Sequence, residues 1–204
     1  MTKRRAKPSY SVKVITKKEA GEILLPFHYL TSLSRGFRSG YNYGLFKEDI
    51  LIGVIIFTGF SVPELVKGMF GLDRTNQHGF FELSRLCIHP DIQSIEHNIA
   101  SWFVARAVKL LRKATEVRAI LSYADSAYHR GIVYQASNFL YYGLTTRKTD
   151  FWFKQKDGTY KKHSRGPVKG RDGEWRPRTR KHRYLLIFDK SLHINWKQQK
   201  YIKD

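Results

Sequence analysis

The chain has 204 residues, of which 42% are hydrophobic and 14% aromatic, and this composition predicts a globular protein with a hydrophobic core. The formal net charge of +20 disfavours an enzyme of small neutral substrates and favours a polyanionic partner, either nucleic acid or an anionic membrane surface. The longest apolar run, Ile50 to Phe60, is too short to span a bilayer, so nucleic acid is the expected partner.

The first nine residues are basic and are predicted to form a disordered arm. No apolar segment follows them, so a secretory signal is not expected. The single Cys87 excludes an intramolecular disulfide and is typical of a reducing, cytoplasmic compartment. The spacing of histidines and cysteines matches no zinc motif, and no metal is expected.

The first half of the chain predicts a sheet-forming region with two helices. Ile50–Thr58 is apolar on both faces, which is typical of a central strand. In chain order the predicted elements are a strand over Tyr10–Thr16, a helix over Lys17–Leu25 capped by Thr16, a hairpin of Tyr43–Phe46 and Ile50–Thr58, a short helix over Pro63–Met69, and a strand over Phe80–His89.

Strict alternation along Phe80–His89 predicts the two faces of that strand. One face is expected to carry Phe81, Leu83, Arg85 and Cys87, and the other Glu82, Ser84, Leu86 and Ile88.

The second half begins with a strongly amphipathic pattern that predicts a long helix over Asn98–Ala114. The further predicted elements are a strand over Arg118–Tyr123, a helix over Tyr128–Ser137, a strand over Phe139–Thr145, a strand over Arg183–Phe188, and a C-terminal helix over Ile194–Ile202.

Residues 146–182 differ from the rest, since lysine and arginine far outnumber acidic residues and alternate with aromatic residues and glycines. A connection of this length is usually functional or disordered. Basic and aromatic residues together favour phosphate contact combined with base stacking. The expected nucleic-acid contacts are Arg35, Arg38, Tyr41, Trp152, Lys161, Lys162, Arg165, Lys169, Arg171, Trp175, Arg176, Arg178 and Arg180, with Phe37 and Tyr43 as further stacking candidates.

Polar side chains concentrate between Ile120 and Gly143, where a strand is followed by a turn, a helix and a second strand. They are Ser122, Tyr123, Asp125, His129, Tyr134 and Asn138. A carboxylate at the end of a strand, followed by a helix that carries a tyrosine, is a candidate site for acid–base chemistry.

The order of elements resembles the GNAT acyltransferase fold, a mixed α/β (α+β) fold with a central twisted sheet flanked by helices. The motifs ELSRL at Glu82–Leu86, SYAD at Ser122–Asp125 and YQASNF at Tyr134–Phe139 resemble the Mom family of bacteriophage DNA-modification proteins. The resemblance covers roughly Tyr43 to Thr145, about half of the chain. The length of the chain predicts a single domain over residues 1–204, with a basic arm (1–9), a basic aromatic insertion (146–182) and a final strand and tail (183–204).

The family resemblance implies a transferase that adds a carbamoylmethyl or acyl group to the exocyclic N6 amine of adenine in double-stranded DNA. Such a modification protects phage DNA from host restriction, and the implied location is the host cytoplasm. The implied donor is acetyl-CoA or another small molecule. The Gln93–Ala100 stretch lacks both glycines of the GNAT pyrophosphate motif, and Glu96 would repel a pyrophosphate, so an unusual donor is favoured.

The expected catalytic residues are Asp125 as the first choice of base, His129 as a second candidate base, Tyr134 as the acid, and Glu82 and Ser84 as orienting groups. Glu82, Ser84, Asp125 and Tyr134 are expected to line one pocket that opens beside the basic surface. The expected donor contacts are Ile88, His97, Asn98 and Asn138.

Structural roles remain open for several of these residues, since Asp125 and Asn98 are also typical helix caps and Glu82 could pair with Arg85. Two other functions also remain open. One is acylation of another hypermodified nucleobase or of RNA, and the other is a non-enzymatic DNA-binding protein that counters restriction.

Overall fold

The structure of the protein, a computed structural model, describes residues 10–29, 36–163 and 166–202. The helices are α1 (Lys17–Phe27), α2 (Glu64–Phe70), α3 (Pro90–Ile95), α4 (Ile99–Ala114) and α5 (Ile132–Ala136). The strands are β1 (Tyr10–Val14), β2 (Tyr41–Lys47), β3 (Ile50–Thr58), β4 (Phe80–Ile88), β5 (Ala119–Asp125), β6 (Leu140–Leu144), β7 (Thr149–Lys154), β8 (Tyr160–Lys162), β9 (Gly173–Pro177) and β10 (Lys181–Ile187).

Seven strands form the central sheet in the order β1-β2-β3-β4-β5-β10-β6. All neighbouring pairs are antiparallel except β4 and β5, which are parallel and are connected through α3 and α4. A parallel pair requires a long crossover, and α4 provides it with an apolar stripe that covers one face of the sheet. The predicted mixed α/β fold class is therefore confirmed.

The core lies on both faces of this sheet, because alternate residues of β3 point in opposite directions. Ile55 and Phe57 pack with α4, whereas Val54 and Ile56 pack with α1. The side chain of Thr16 caps α1 as predicted, within a capping box completed by Glu19.

The alternation predicted for β4 is wrong, because a bulge interrupts the strand at Ser84. The register against β3 shifts between the Ile56–Arg85 pair and the Phe57–Leu83 pair. One extra residue reverses the faces beyond it. Leu83 therefore packs on the α4 side, while Cys87 packs on the α1 side.

The same position marks the end of the pairing between β4 and β5. Their parallel register runs from Phe80–Ala119 to Leu83–Ser122 and extends no further. Beyond these pairs the two strands separate, and their carboxyl ends open a gap at one edge of the sheet. We refer to the edge at which β4 ends at Ile88 and β5 ends at Asp125 as the open edge.

Residues 146–182 contain a second, three-stranded sheet in the order β8-β7-β9, which we call the basic sheet. It is inserted between β6 and β10, so the chain leaves the central sheet after β6 and returns to it at β10. Phe151 is buried beneath it and contacts Trp175, with ring centroids 5.4 Å apart. Much of this long basic segment is thus folded.

The predicted C-terminal helix over Ile194–Ile202 is wrong. The chain there is irregular and runs against the edge strand β6, where the amide of Gln199 donates to the carbonyl of Tyr141 at 2.8 Å. The hydroxyl of Tyr201 donates to the carbonyl of Phe139 at 2.9 Å. Hydrogen bonds to the backbone of β6 and of the residue before it therefore replace helical hydrogen bonds. None of the helices described is long and apolar enough to cross a membrane.

The helix predicted over Tyr128–Ser137 is shorter than expected and begins at Ile132. A turn takes up Ser126–Tyr128, His129 and Arg130 are irregular, and Gly131 adopts a left-handed conformation with φ of 81°. A Cβ at Gly131 would lie 2.6 Å from the Tyr184 ring and 3.0 Å from the Tyr134 ring. Glycine is therefore required there both by the backbone and by the packing.

We expect Gly131→Ala to destabilise the protein more than a matched change at Gly158. Gly158 has φ of 80° but open space around it, so Gly158→Ala carries only the left-handed backbone penalty of about 1–2 kcal/mol. Gly131→Ala adds overpacking of about 1–3 kcal/mol. Denaturant unfolding of the two variants measures the difference, and equal destabilisation would contradict this account.

Candidate active site and nucleic-acid interface

A cavity of about 790 Å³ lies at the open edge, between the end of α1, the end of β4, the start of α4 and the turn before α5. Its walls mix apolar, aromatic and imidazole groups. The lining residues are Phe27, His28, Tyr29, Leu86, Cys87, Ile88, Pro90, Gln93, Ser94, Ala100, Tyr128, His129, Arg130, Gly131, Ile132, Val133 and Tyr134.

Tyr134 lines this cavity, although it is only 6% exposed. Its ring packs between Phe139 and Tyr184, with centroids 5.7 and 5.4 Å away. Burial raises the pKa of its hydroxyl to about 12, against the opposing effect of a hydrogen bond with Ser122. At neutral pH the hydroxyl is therefore protonated and can donate a proton or a hydrogen bond.

His129 also lines the cavity, and its position depends on Asp125. The backbone amide of His129 donates to the carbonyl of Asp125 at 3.0 Å. Burial lowers the pKa of the imidazole, and the Asp125 carboxylate opposes this shift. At neutral pH the imidazole is neutral and can accept a proton.

Asp125 itself is not among the lining residues of the cavity and contributes through the turn. One carboxylate oxygen accepts from the amide of Ala127 at 3.0 Å, and the other accepts from the hydroxyl of Thr179 at 3.0 Å. No helix starts at Ala127, so the expected helix cap is replaced by a side-chain-bonded turn. Asp125 thereby joins the turn to the residues that follow the basic sheet.

The mouth of the cavity is aromatic, a feature that the sequence patterns did not predict. Tyr29 is 42% exposed and Tyr128 is 60% exposed, and their ring centroids are 4.5 Å apart. His28 stacks on Tyr29, with centroids 4.5 Å apart. The available sequence signal is the pair of aromatic dipeptides, His28-Tyr29 and Tyr128-His129, which lie far apart in the chain.

Besides Asp125, two further predicted catalytic residues, Glu82 and Ser84, do not line the cavity. Glu82 accepts a hydrogen bond from the hydroxyl of Ser61 at 3.1 Å, and Ser84 donates to the carbonyl of Ile56 at 3.2 Å as part of the bulge. Of the four residues expected to line one pocket, Glu82, Ser84, Asp125 and Tyr134, only Tyr134 lines this cavity, although the Glu82 carboxylate lies close enough to help raise the pKa of the Tyr134 hydroxyl.

The expected Glu82–Arg85 pair is not formed either. Arg85 donates from Nη1 to the carbonyl of Ser84 at 2.5 Å. Its Nε is buried without a hydrogen-bond partner among the described residues. The charge of Arg85 acts on His28 and, with burial as the larger cause, helps to lower the pKa of that imidazole to about 4.

Among the predicted donor contacts, Ile88 lines the cavity, whereas His97, Asn98 and Asn138 are exposed and do not. Asn98 precedes α4 with φ of 63°, and its side chain makes no capping hydrogen bond. The placement of α3 explains this outcome, because Pro90, Gln93 and Ser94 form that wall of the cavity instead.

The cavity suits part of a coenzyme A molecule but not its pyrophosphate. Leu86, Ile88 and Val133 offer apolar walls for an extended arm. The segment before α4 holds α3, and the amides of Glu96 and Ile99 are already bonded to the carbonyls of Ile92 and Glu96. With these amides bonded and no glycine in Gln93–Ala100, the segment differs from the usual pyrophosphate cradle.

On the basic sheet, cations and aromatic rings are interleaved as the sequence predicts. The guanidinium of Arg176 lies over the rings of both Trp152 and Tyr160, at 5.0 and 4.4 Å from their centroids. Trp175 is 57% exposed. A surface of this kind offers a flat ring and positive charge together, which suits stacking on bases beside phosphates.

Several of the predicted contacts also have partners within the protein. Lys162 pairs with Asp150 at 2.5 Å, Arg176 with Glu174 at 2.5 Å, and Arg178 with Asp150 at 3.9 Å. Arg180 donates to the carbonyl of Thr145 at 2.7 Å. Lys161, Lys169 and Arg171 are exposed and pair with no carboxylate in the described chain, so they are the cations most available to a phosphate.

Other predicted contacts lie elsewhere. Tyr41 packs against Phe81 at the end of the sheet opposite the open edge, and Arg38 is exposed in the segment before β2. Tyr43 is buried in the core at 2% exposure. Tyr43 therefore cannot stack on a base. Arg35 and Arg165 lie outside the described residues. Among the described residues, no group of three or more histidine, cysteine or acidic side chains is arranged to hold a metal ion.

Lys181 connects the basic sheet to the candidate active site. It is paired in register with Asp125, and its ammonium lies over the ring of Tyr123 at 5.7 Å. Burial lowers its pKa, as does the charge of Arg178, while the carboxylates of Asp125 and Glu82 oppose the shift. The basic sheet therefore joins the central sheet at the open edge, beside the turn that holds His129.

Comparison with known proteins resolves the family. Residues 9–203 match the Mom protein family, which is nearly the whole chain. The chain belongs to the Mom protein family.

A curated member, the methylcarbamoylase mom of Escherichia phage Mu, is 31% identical over 101 residues. That match covers 49% of the present chain and 40% of the phage Mu protein, so the chain spans less than half of that relative's length.

Solved structures show the fold of this Mom family member to be that of GNAT acetyltransferases. An acetyltransferase of Bacillus subtilis in complex with CoA has a TM-score of 0.51 at 13% identity, over 88% of this chain and 97% of that one. A GNAT family acetyltransferase of Elizabethkingia anophelis with acetyl-CoA bound has a TM-score of 0.52 at 13% identity, over 89% and 100% of the two chains.

We expect the stability of the protein to fall between pH 6.5 and about pH 4 because of His28. Its pKa is about 4 in the folded state, whereas an unperturbed histidine has a pKa of 6.5, so the unfolded chain binds the proton first as the pH falls. The contribution is complete above pH 6.5 and is lost as the pH falls through the folded value.

The change His28→Phe keeps a ring against Tyr29 but cannot be protonated. Thermal unfolding at pH 7.5, 6.0 and 4.5 should show a smaller loss of Tm in this variant than in the wild type. The same loss of Tm in both proteins would contradict the assignment.

Proposed function

We propose that this Mom family protein is a DNA-modification transferase that adds a small carbamoylmethyl or acyl group to the exocyclic N6 amine of adenine. The modification would protect phage DNA from restriction. The observation that carries the proposal is the shared position of two features at the open edge: a cavity with a protonated tyrosine and a neutral histidine, and the junction with the basic sheet.

The chemistry needs two proton transfers and an electrophilic donor. As the amine nitrogen attacks the activated carbon of the donor, it must lose one proton, and the departing group must gain one. We assign the first transfer to the neutral imidazole of His129 and the second to the hydroxyl of Tyr134. A well-placed acid or base contributes about 10²–10⁴-fold to the rate.

Asp125 acts in this scheme as a positioning residue. Its carboxylate fixes the turn through Ala127 and Thr179, and its backbone carbonyl holds His129. The donor is a small molecule bound along Leu86, Ile88 and Val133. Because these residues build no pyrophosphate cradle, the proposal does not depend on coenzyme A.

A base within a duplex cannot enter this cavity, so the target nucleotide must be flipped out, at a cost of a few kcal/mol. Tyr29 and Tyr128 at the mouth provide rings on which an extruded adenine can stack. The phosphates on either side would be held by the basic sheet, through Lys161, Lys169 and Arg171.

Mass spectrometry of nucleosides from DNA of cells that express the protein tests this function. We expect a modified deoxyadenosine in the wild type and a loss of about 10²–10⁴-fold in initial rate for Tyr134→Phe, because the ring packing is kept and only the acid is removed. Tyr142→Phe is the matched control, since Tyr142 is also buried but contributes to the core on the opposite face.

The same assay includes Asp125→Ala, with Asp157→Ala as its control. Asp157 also holds a turn through its carboxylate, by accepting from Thr159, but this turn connects β7 and β8 and does not line the cavity. Asp125→Ala should abolish the adduct and Asp157→Ala should retain it. An adduct on another base or on RNA would change the substrate, and tight DNA binding with unmodified DNA would favour a non-enzymatic antirestriction protein.

A further inference from the structure

A second concave surface lies on the opposite side of α4 from α5, in the groove between α4 and the edge strand β1. Its volume is about 330 Å³. One wall is the β1 backbone with Tyr10, Ser11 and Val12, and the other is the exposed side of α4. The proposed function uses none of these residues.

The α4 wall carries a stripe of one aromatic and three cationic side chains. Trp102, Arg106, Lys109 and Lys113 are spaced by four, three and four residues, which places them on one side of the helix. The guanidinium of Arg106 lies 5.4 Å from the centre of the Trp102 ring. In the described chain, none of the three cations forms an ion pair with a carboxylate, and the groove has no acidic lining residue.

Two hydroxyl oxygens on the β1 wall, those of Tyr10 and Ser11, are buried. The Ser11 oxygen has no hydrogen-bond partner among the described residues, so an acceptor is expected to approach it. Burial raises the pKa of the Tyr10 hydroxyl, and its hydrogen bond with the Glu96 carboxylate raises it further, so the hydroxyl stays protonated.

The register of the sheet places one end of this groove at the open edge. Tyr10 pairs with Lys47 at the end of β2. Two residues earlier in β2, Leu45 pairs with Gly53, and Gly53 pairs with Ile88 at the end of β4. The Tyr10 end of the groove, the cavity and the junction with the basic sheet therefore lie along the same edge. Because the groove, the cavity and the junction follow one another along this edge, they suit an extended anion better than a compact one.

We propose that the β1–α4 groove binds the phosphate backbone of a nucleic-acid strand, as a second anchoring site for the DNA whose base enters the cavity. The guanidinium and ammonium groups of Arg106, Lys109 and Lys113 neutralise successive phosphates. The hydroxyl of Ser11 donates to a phosphate oxygen, and the ring of Trp102 covers a sugar or base. This inference rests on the proposed DNA substrate but concerns residues outside the reaction.

The salt dependence of DNA binding by the full chain tests the groove. The triple variant Arg106→Gln, Lys109→Gln, Lys113→Gln keeps residues of similar helix propensity, so α4 is retained. Each phosphate contact contributes about 0.9 to the slope of log K against log salt for B-DNA. With a duplex of about 25 base pairs, the slope should fall in magnitude by about 2.7, three times this increment.

The control is Lys18→Gln, Lys67→Gln, Lys190→Gln, which removes the same charge from exposed lysines outside the groove. Lys18 and Lys67 lie on the helices that pack against the other face of the sheet. This variant should keep the wild-type slope. If both triple variants lower the slope equally, the effect is one of net charge and the groove proposal is overturned.

Protection of lysines from an amine-acylating reagent gives a second readout. Bound duplex should protect Lys109 and Lys113 at least fivefold, whereas inorganic phosphate at the same total phosphate concentration should not. Equal protection by inorganic phosphate would identify a small-anion site and overturn the assignment to a polynucleotide.

The failure of this inference is distinguishable from the failure of the proposed function. DNA binding with an adenine adduct, but with an unchanged slope in the groove variant, overturns the groove alone. The expected slope change without any adduct supports the groove and counts against the transferase.

Discussion

The structure depends on one interruption of hydrogen bonding, where the parallel ladder between β4 and β5 ends after Leu83 and Ser122. The bulge at Ser84 turns β4 away, so two strands that are neighbours in the sheet separate toward their carboxyl ends. The hydroxyl of Ser122 is bonded to the carbonyl of Leu83 at 3.1 Å, which satisfies that carbonyl at the last pair. The gap beyond it exposes Leu86 and Ile88 to the cavity and leaves room for Tyr134 to face the same space.

The positive charge of the basic sheet, next to this gap, is the reason that DNA is the proposed substrate. Lys181 and Asp125 are paired in register where β10 meets β5, so the chain that leaves the basic sheet re-enters the central sheet at the open edge. A polyanion bound to the basic sheet, as proposed, would therefore lie beside the mouth formed by Tyr29 and Tyr128. Inside the cavity burial disfavours charge. It lowers the pKa of the His129 imidazole and raises the pKa of the Tyr134 hydroxyl, so both groups are neutral at neutral pH. Attraction outside and neutral acid–base groups inside are the combination that modification of a flipped base requires.

Features that depend on local periodicity could be predicted from the sequence, and those that depend on distant contacts could not. The apolar stripe of α4 and the cap at Thr16 are both predictable, because spacing along a helix decides them. The bulge at Ser84 could not be predicted, because a prediction from strict alternation has no place for an extra residue. A predicted strand without the bulge wrongly puts Glu82 and Ser84 in the expected site. The C-terminal segment has helix-compatible spacing, but contacts of Gln199 and Tyr201 with β6 decide its conformation. The mouth of the cavity joins segments roughly a hundred residues apart, so neither aromatic dipeptide indicates the other.

The central claim is that a base from bound DNA enters the cavity at the open edge. Photo-crosslinking tests it most directly, with a duplex that carries one photoreactive adenine analogue opposite a mismatched base, which lowers the free energy needed to extrude it. The crosslinked residues are then mapped by mass spectrometry of peptides. The account predicts crosslinks to Tyr29, Tyr128 or His129, which line the cavity. Crosslinks confined to strands β7, β8 and β9, with none at the cavity, would contradict it.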